Sequence, residues 1–347
     1  MALRMLGEME NKFDRAKSDV EKEREKFEHW FNDVGPDEQV CDLVLLRHGN
    51  KAPGPTEWVN PLITKSREAK IKIPDSKDLV GEGKRNAEAF GQHFAFYDRL
   101  YPHASGEERA ADTANLIVDG SGIDTNLKAV QLPDTTYGEL VKKYPGIAAD
   151  FKTISGEITQ AKVDAPNWGM SKLDERARIG EVVEVPAMDK LVSMKGGAEA
   201  ISQFMSGNVL ALKNKAEAML TGDLKKTAIP FVTHALLNEG WLMKTLRVNG
   251  QPINDLKALG GSFSPVEGFI VRFKKNKTSG ETKIECKFTD PARQVLFDGA
   301  ELTIDWESAK NLAGQHLETQ KPKPVEEPKK EEPKPAPVKP VEKKSHH

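Results

Sequence analysis

Hydrophobic residues are distributed along the chain in three regimes. Between residue 1 and about residue 34 they alternate three and four apart, at Leu6, Met9, Phe13, Ala16, Val20, Phe27, Trp30 and Val34, with Glu23 interrupting one position. This spacing puts a single apolar seam on a highly charged helix. The seam predicts either a helix packed along the rest of the chain or a dimerising coiled coil, and the interruption at Glu23 favours packing. From about 40 to 310 apolar runs recur in short blocks. Val40 to Leu46 is mostly apolar, as expected of a buried strand, and it stops at Arg47-His48-Gly49. Leu79, Gly83, Ala87 and Gly91 then recur every four residues, predicting a helix whose small face packs closely on a sheet. Ser105 with Glu108 reads as a capping box, which opens a helix and places Arg109 in its first turn. Ala228 to Thr233 is a second apolar run, ends at His234 and is followed by helical periodicity through Leu246. Phe269 to Phe273 and Ile284 to Phe288 read as a β-hairpin. After residue 320 Pro, Lys and Glu dominate without apolar periodicity, which predicts an extended, disordered tail.

Only the middle of the chain can therefore bury a sizeable core. The expected organisation is an N-terminal amphipathic helix over 1–34, one α/β domain over 35–318 and the tail over 319–347. The 51 basic residues nearly balance the 53 acidic ones and are mixed with them throughout. No broad field favours nucleic acid or an anionic membrane as partner, so any anion site must be local. Cys41 and Cys286 lie in strand-like segments without zinc spacing, and both read as reduced core residues. The N-terminus lacks an apolar leader core, and no stretch approaches the roughly 20 apolar residues of a membrane span, so the expected compartment is the cytoplasm. No Asp/Glu/His cluster has metal spacing, and no metal or other cofactor is expected.

Two strands that end in histidine, each followed by a helix, present polar groups at the carboxyl edge of a sheet, where open α/β sheets bind ligands. An arginine in a first helical turn adds to an end that already favours an anion. Each feature alone has an ordinary structural explanation; their order and placement make the case. Leu-Leu-Arg47-His48-Gly49-Asn-Lys51-Ala-Pro resembles the Arg-His-Gly motif of the histidine phosphatase superfamily (phosphoglycerate mutase-like). Ser105-Gly-Glu-Glu-Arg109-Ala-Ala-Asp-Thr113 is similar to its second arginine motif, and Val232-Thr233-His234-Ala235 to its second histidine. Leu132-Pro-Asp134-Thr-Thr-Tyr137-Gly138 resembles the segment with the family's acid, and Gly196-Gly197-Ala198-Glu199 its later Gly-Gly-Glu element.

The resemblance implies a three-layer α/β/α sandwich and a phosphomonoesterase in which His48 is transiently phosphorylated. It makes Arg47, Arg109 and His234 the phosphate-binding cations and Asp134 the acid, with Glu139 as competitor. The family usually has glutamate at Asp134, so the acid here is one methylene shorter. The superfamily's other branch carries its acid directly after the second histidine, where this chain has Ala235 and Leu236, so the resemblance is to branch 1. Thr135 stands where related mutases have arginine, which argues against mutase activity. Lys51, Thr233, Arg176 and Arg178 are further substrate-binding candidates, the two arginines on an expected lid over about 146–195. The expected partner is a phosphorylated small molecule. The rival readings are a phosphotransferase or mutase, and a catalytically weak module that binds phospho-ligands. The residue types suit phosphoryl transfer, since an imidazole with an ordinary pKa near 6.5 is largely neutral at pH 7 and arginine binds phosphate through a rigid, permanently charged fork.

Overall fold

The computed structural model describes residues 19–49, 81–123, 128–164, 190–192, 194 and 196–319. In chain order, a helix over 19–32 (α1) precedes β1 (Glu38–Arg47), α2 (Gly81–Gly91), β2 (Arg99–Leu100), β3 (His103–Ser105), α3 (Glu108–Ser121) and β4 (Val130–Leu132). Then come α4 (Tyr137–Lys143), α5 (Ala148–Asp164), α6 (Gly197–Met219), β5 (Lys226–Thr233), α7 (Leu237–Thr245), β6 (Leu246–Val248) and β7 (Gln251–Pro252). The last elements are β8 (Gly268–Asn276), β9 (Thr282–Phe288), α8 (Pro291–Val295), β10 (Leu302–Ile304) and α9 (Trp306–Thr319).

The main sheet runs β4-β3-β5-β1-β8-β9, with β2 beside β5, and a small second sheet joins β10, β6 and β7. β4, β3, β5 and β1 are parallel; β8 and β9 form the expected antiparallel hairpin, which joins β1 through β8. Nearly every residue of β1 and β5 is buried, because helices cover both faces. Cys41, Leu43, Leu45, Ile229 and Phe231 belong to one core, with Ile201, Phe204 and Trp241 from α6 and α7. Val44, Leu46, Ala228 and Val232 belong to the other, with Ala87, Ala110, Ala114 and Ile117 from α2 and α3. The result is a three-layer α/β/α sandwich around a mixed sheet. Both cysteines are buried and free, and burial pushes the Cys41 thiol up to about 12.

Two local expectations change. The small residues of α2 pack against a helix as well as facing the sheet: a Cβ on Gly91 would lie 2.3 Å from the Ile117 carbonyl oxygen of α3, and one on Gly120 2.0 Å from that of Glu88. Only hydrogen at these two positions lets the backbones come so close. The capping box does not form. Ser105 ends β3, and α3 is capped at Glu107 without a side-chain bond.

The described part of α1 packs on the domain. Phe27 and Phe31 are buried, and Phe31 meets Phe94 and Tyr97 at ring-centroid distances of 5.5 and 5.4 Å. Arg272 of β8 donates to the carbonyls of Trp30 and Phe31 and pairs with the buried Asp42 at 2.8 Å, tying the helix to the sheet. No helix among the described residues is long and apolar enough to cross a membrane. Lys51, Arg176, Arg178, most of the expected lid and the tail beyond 319 lie outside the described residues.

Candidate active site

The register of the central strands builds the site. β1 and β5 run parallel with Arg47 opposite Thr233, and the His48 N–H donates to the Thr233 carbonyl at 2.9 Å. The two histidines after these strands thus emerge side by side, with ring centroids 5.3 Å apart. β3 ends at the same edge, and its last residue puts Ser105 Oγ 3.0 Å from His234 Nε2. The turn after Ser105 sends α3 away with Arg109 in its first turn, as the spacing predicts. Arg109 Nε lies 3.3 Å from His48 Nε2, and a terminal nitrogen lies 3.5 Å from His234 Nδ1, so one guanidinium bridges both rings.

The contacts of His48 fix its tautomer. A guanidinium only donates, so Nε2 offers a lone pair. The proton then sits on Nδ1, 2.6 Å from the Gly49 carbonyl oxygen, while Ser105 Oγ faces His234 Nε2. Gly49 is held in turn by Thr113, whose hydroxyl accepts from its N–H at 3.0 Å and donates to the Arg109 carbonyl at 2.8 Å. A Cβ on Gly49 would stand 2.8 Å from the Gly83 carbonyl oxygen, so the Arg-His-Gly turn lies directly against α2. Tyr137 lies tilted against His234, with ring centroids 5.5 Å apart, and donates to the Ala235 carbonyl, steadying a turn in which Leu236 takes the left-handed conformation at φ 66°.

The electrostatics favour a neutral imidazole at His48. Burial, then the charges of Arg109, His234 and Arg47, hold His48 well below the usual histidine pKa. The residue is 4% exposed. Arg47 is also buried, and Nη1 donates to the Phe263 carbonyl at 2.6 Å. Thr233 is fully buried, with no hydrogen-bond partner for Oγ1 among the described residues.

The structure therefore brings together Arg47, His48, Arg109, Thr233 and His234. It does not bring the acid candidates into contact with the histidines. The Asp134 side chain is 71% exposed and lies 3.8 Å from Lys143 Nζ, while Glu139 lies 3.4 Å from Lys142. Sequence reasoning missed Ser105, Tyr137 and Glu107 as neighbours of the site, the last 3.6 Å from Arg109. Ser105 and Tyr137 lie inside the motifs quoted above, so the signal was present, and the capping-box reading hid it for Ser105.

Two imidazoles and two guanidinium groups thus gather at one strand edge, a grouping with the charge to hold an anion. Residues 43–210 match the family model of the histidine phosphatase superfamily, branch 1, a stretch that includes Arg47, His48, Arg109 and Asp134. Comparison with curated proteins gives no significant match. Similar solved structures include a phytase of Klebsiella sp. ASR1, at 12% identity and a TM-score of 0.43, covering 82% of this chain and 96% of that one. A multiple inositol polyphosphate phosphatase of Bifidobacterium longum shows 11% identity and a TM-score of 0.49, over 82% of this chain and 94% of that one. A putative alpha-ribazole-5'-P phosphatase of Escherichia coli shows 13% identity and a TM-score of 0.34, over 72% and 97%.

Proposed function

We propose that the protein is a metal-independent phosphomonoesterase that acts through a phosphohistidine on His48. The observation that carries this reading is the Arg109 guanidinium between His48 Nε2 and His234 Nδ1, at 3.3 and 3.5 Å. A phosphoryl group that takes over the Arg109 N–H bonds frees the His48 Nε2 lone pair for attack and meets fixed positive charge around its equatorial oxygens. The Nε2 lone pair of His48 forms the P–N bond as the P–O bond to the alcohol breaks. The leaving oxygen takes a proton from Asp134, or from Glu139 as the competing donor. The same carboxylate then accepts a proton from water, whose oxygen attacks phosphorus, and the P–N bond breaks to release inorganic phosphate. The Nδ1–H contact with Gly49 keeps the ring oriented through both steps.

Arg47, Arg109 and His234 hold the phosphoryl oxygens, with Thr233 beside them. Lys51, Arg176 and Arg178 contact the remainder of a phosphorylated small molecule, and the protein works in the cytoplasm. A module that only bound phospho-ligands would have no use for an oriented, neutral imidazole. Hydrolysis of an aryl phosphate in EDTA, inhibited by vanadate, is the expected result. Absence of hydrolysis, or strict dependence on added Mg²⁺, refutes the reading.

A further inference from the structure

Glu239 lies on α7, five residues beyond His234, and is fully buried. Its Oε1 accepts the N–H of Phe263 at 2.6 Å, and the carbonyl of that same residue accepts Arg47 Nη1 at 2.6 Å. One residue of backbone therefore links the carboxyl to the guanidinium. The loop around Phe263 is otherwise clamped from α8. Arg293 pairs with Glu267 and donates to the carbonyls of Leu259, Gly261 and Ser262 at 2.5, 2.8 and 2.9 Å. The main chain of Arg47 also bonds to this loop, its N–H to Glu267 and its carbonyl to the Val266 N–H, at 2.9 and 3.1 Å.

Stability alone gives no reason for an acid at this point. Oε2 of Glu239 is buried without a hydrogen-bond partner among the described residues, an arrangement that costs free energy and that an apolar side chain would avoid. We infer that Glu239 is a positioning residue for phosphate binding, fixing the Arg47 guanidinium through the Phe263 peptide. This rests on the phosphatase reading of the site, which makes Arg47 a phosphate ligand. The charged groups that face the carboxyl are Arg47 from β1 and Arg293 from α8; burial outweighs both and pushes its pKa up to about 7. Above that pH the carboxylate grips the Phe263 N–H with a charge-assisted bond, and below it the grip is weaker.

The test is tungstate binding, followed by tryptophan fluorescence or calorimetry at about pH 5.5 and 8.5, on either side of the Glu239 titration. Each variant is compared with wild type at the same pH, so the acid-base and condensation chemistry of tungstate itself cancels. Glu239→Gln is expected to match wild type at the lower pH and to bind more weakly at the higher one. Glu239→Leu should weaken binding about tenfold when Arg47 is present, the loss expected for one charge-assisted hydrogen bond, and less than about twofold in an Arg47→Ala background. Equal losses in both backgrounds, or a constant ratio between Glu239→Gln and wild type at the two pH values, overturn the inference. Glu239→Gln carries the test alone if the leucine variant fails to fold. Failure of wild type to bind tungstate at either pH overturns the phosphatase reading itself, whereas wild-type binding with equal losses removes only the role of Glu239.

Discussion

Replacing Arg109 with glutamine removes a side chain that touches both histidines. Glutamine is too short to reach both ring nitrogens and carries no charge. If the guanidinium stabilises charge that develops on the equatorial oxygens, its loss should cost about 10²–10³ in kcat, or about 3–4 kcal/mol, as for the removal of one preorganised donor. The substitution also acts on His48. Burial is the main cause that holds this imidazole below its ordinary pKa, and Arg109 is the largest of the charges that add to it. Burial, His234 and Arg47 remain in the variant, so the acid limb of kcat/KM should move to higher pH without reaching that of a free imidazole. Stability carries the same signature. The unfolded chain takes up a proton at His48 near pH 6.5 that the folded chain refuses, so wild type should lose stability as pH falls below about 6.5, and Arg109→Gln should lose less. The assay is a pH profile of aryl phosphate hydrolysis, with urea unfolding on either side of pH 6.5. An acid limb that stays in place or moves to lower pH refutes the electrostatic argument, whatever happens to kcat.

Ser105→Ala should lower kcat about tenfold, because a buried imidazole nitrogen left unpartnered costs about 1–3 kcal/mol; a loss under twofold in steady-state assays shows that His234 keeps its orientation without the hydroxyl. Asp134→Asn should slow an alkyl phosphate by about 10²–10⁴ and an activated aryl phosphate far less, and the same contrast appearing with Glu139→Gln instead moves the acid to that residue. Phe31→Ala should cost about 3–5 kcal/mol in urea unfolding, as for a fully buried phenylalanine, and a cost under 1 kcal/mol contradicts the packing of α1. Light scattering of the full chain tests the coiled-coil alternative, with one-chain mass expected and two-chain mass supporting a dimer through the N-terminal helix.

The histidine edge was legible because its residues follow short apolar runs whose length and composition suit buried strands. Arg47 and Thr233 end such runs, and parallel pairing then brings His48 and His234 together without any long-range information in either segment. The hairpin of β8 and β9 was legible for the same reason. Ser105 was misread because Ser with Glu three residues on satisfies the local capping pattern, while the pairing of β3 with β5 that puts its hydroxyl on His234 is non-local. Gly91 was assigned to the sheet because spacing reveals a small face but not what lies opposite; here it is Gly120, a residue with its own close approach to α2. In α1 the seam of alternating positions gave Phe27 and Trp30 but not Phe31, which is buried because the helix end turns into the aromatic cluster around Phe94 and Tyr97. Glu239 carried no pattern signal at all. An acid five residues after a histidine resembles any solvated helix position until burial is known.

The central claim is that His48 forms a covalent bond to phosphorus, and trapping that bond tests it most directly. A phosphoramidate survives alkali and breaks in acid, so the protein should be denatured at alkaline pH during turnover of a labelled phosphate ester and the modified peptide located by mass spectrometry. The account predicts label on the peptide containing His48, lost on acidification, and absent from His48→Ala, which should keep no more than a few per cent of the activity. Label on another residue, no label during turnover, or substantial activity in His48→Ala would contradict it.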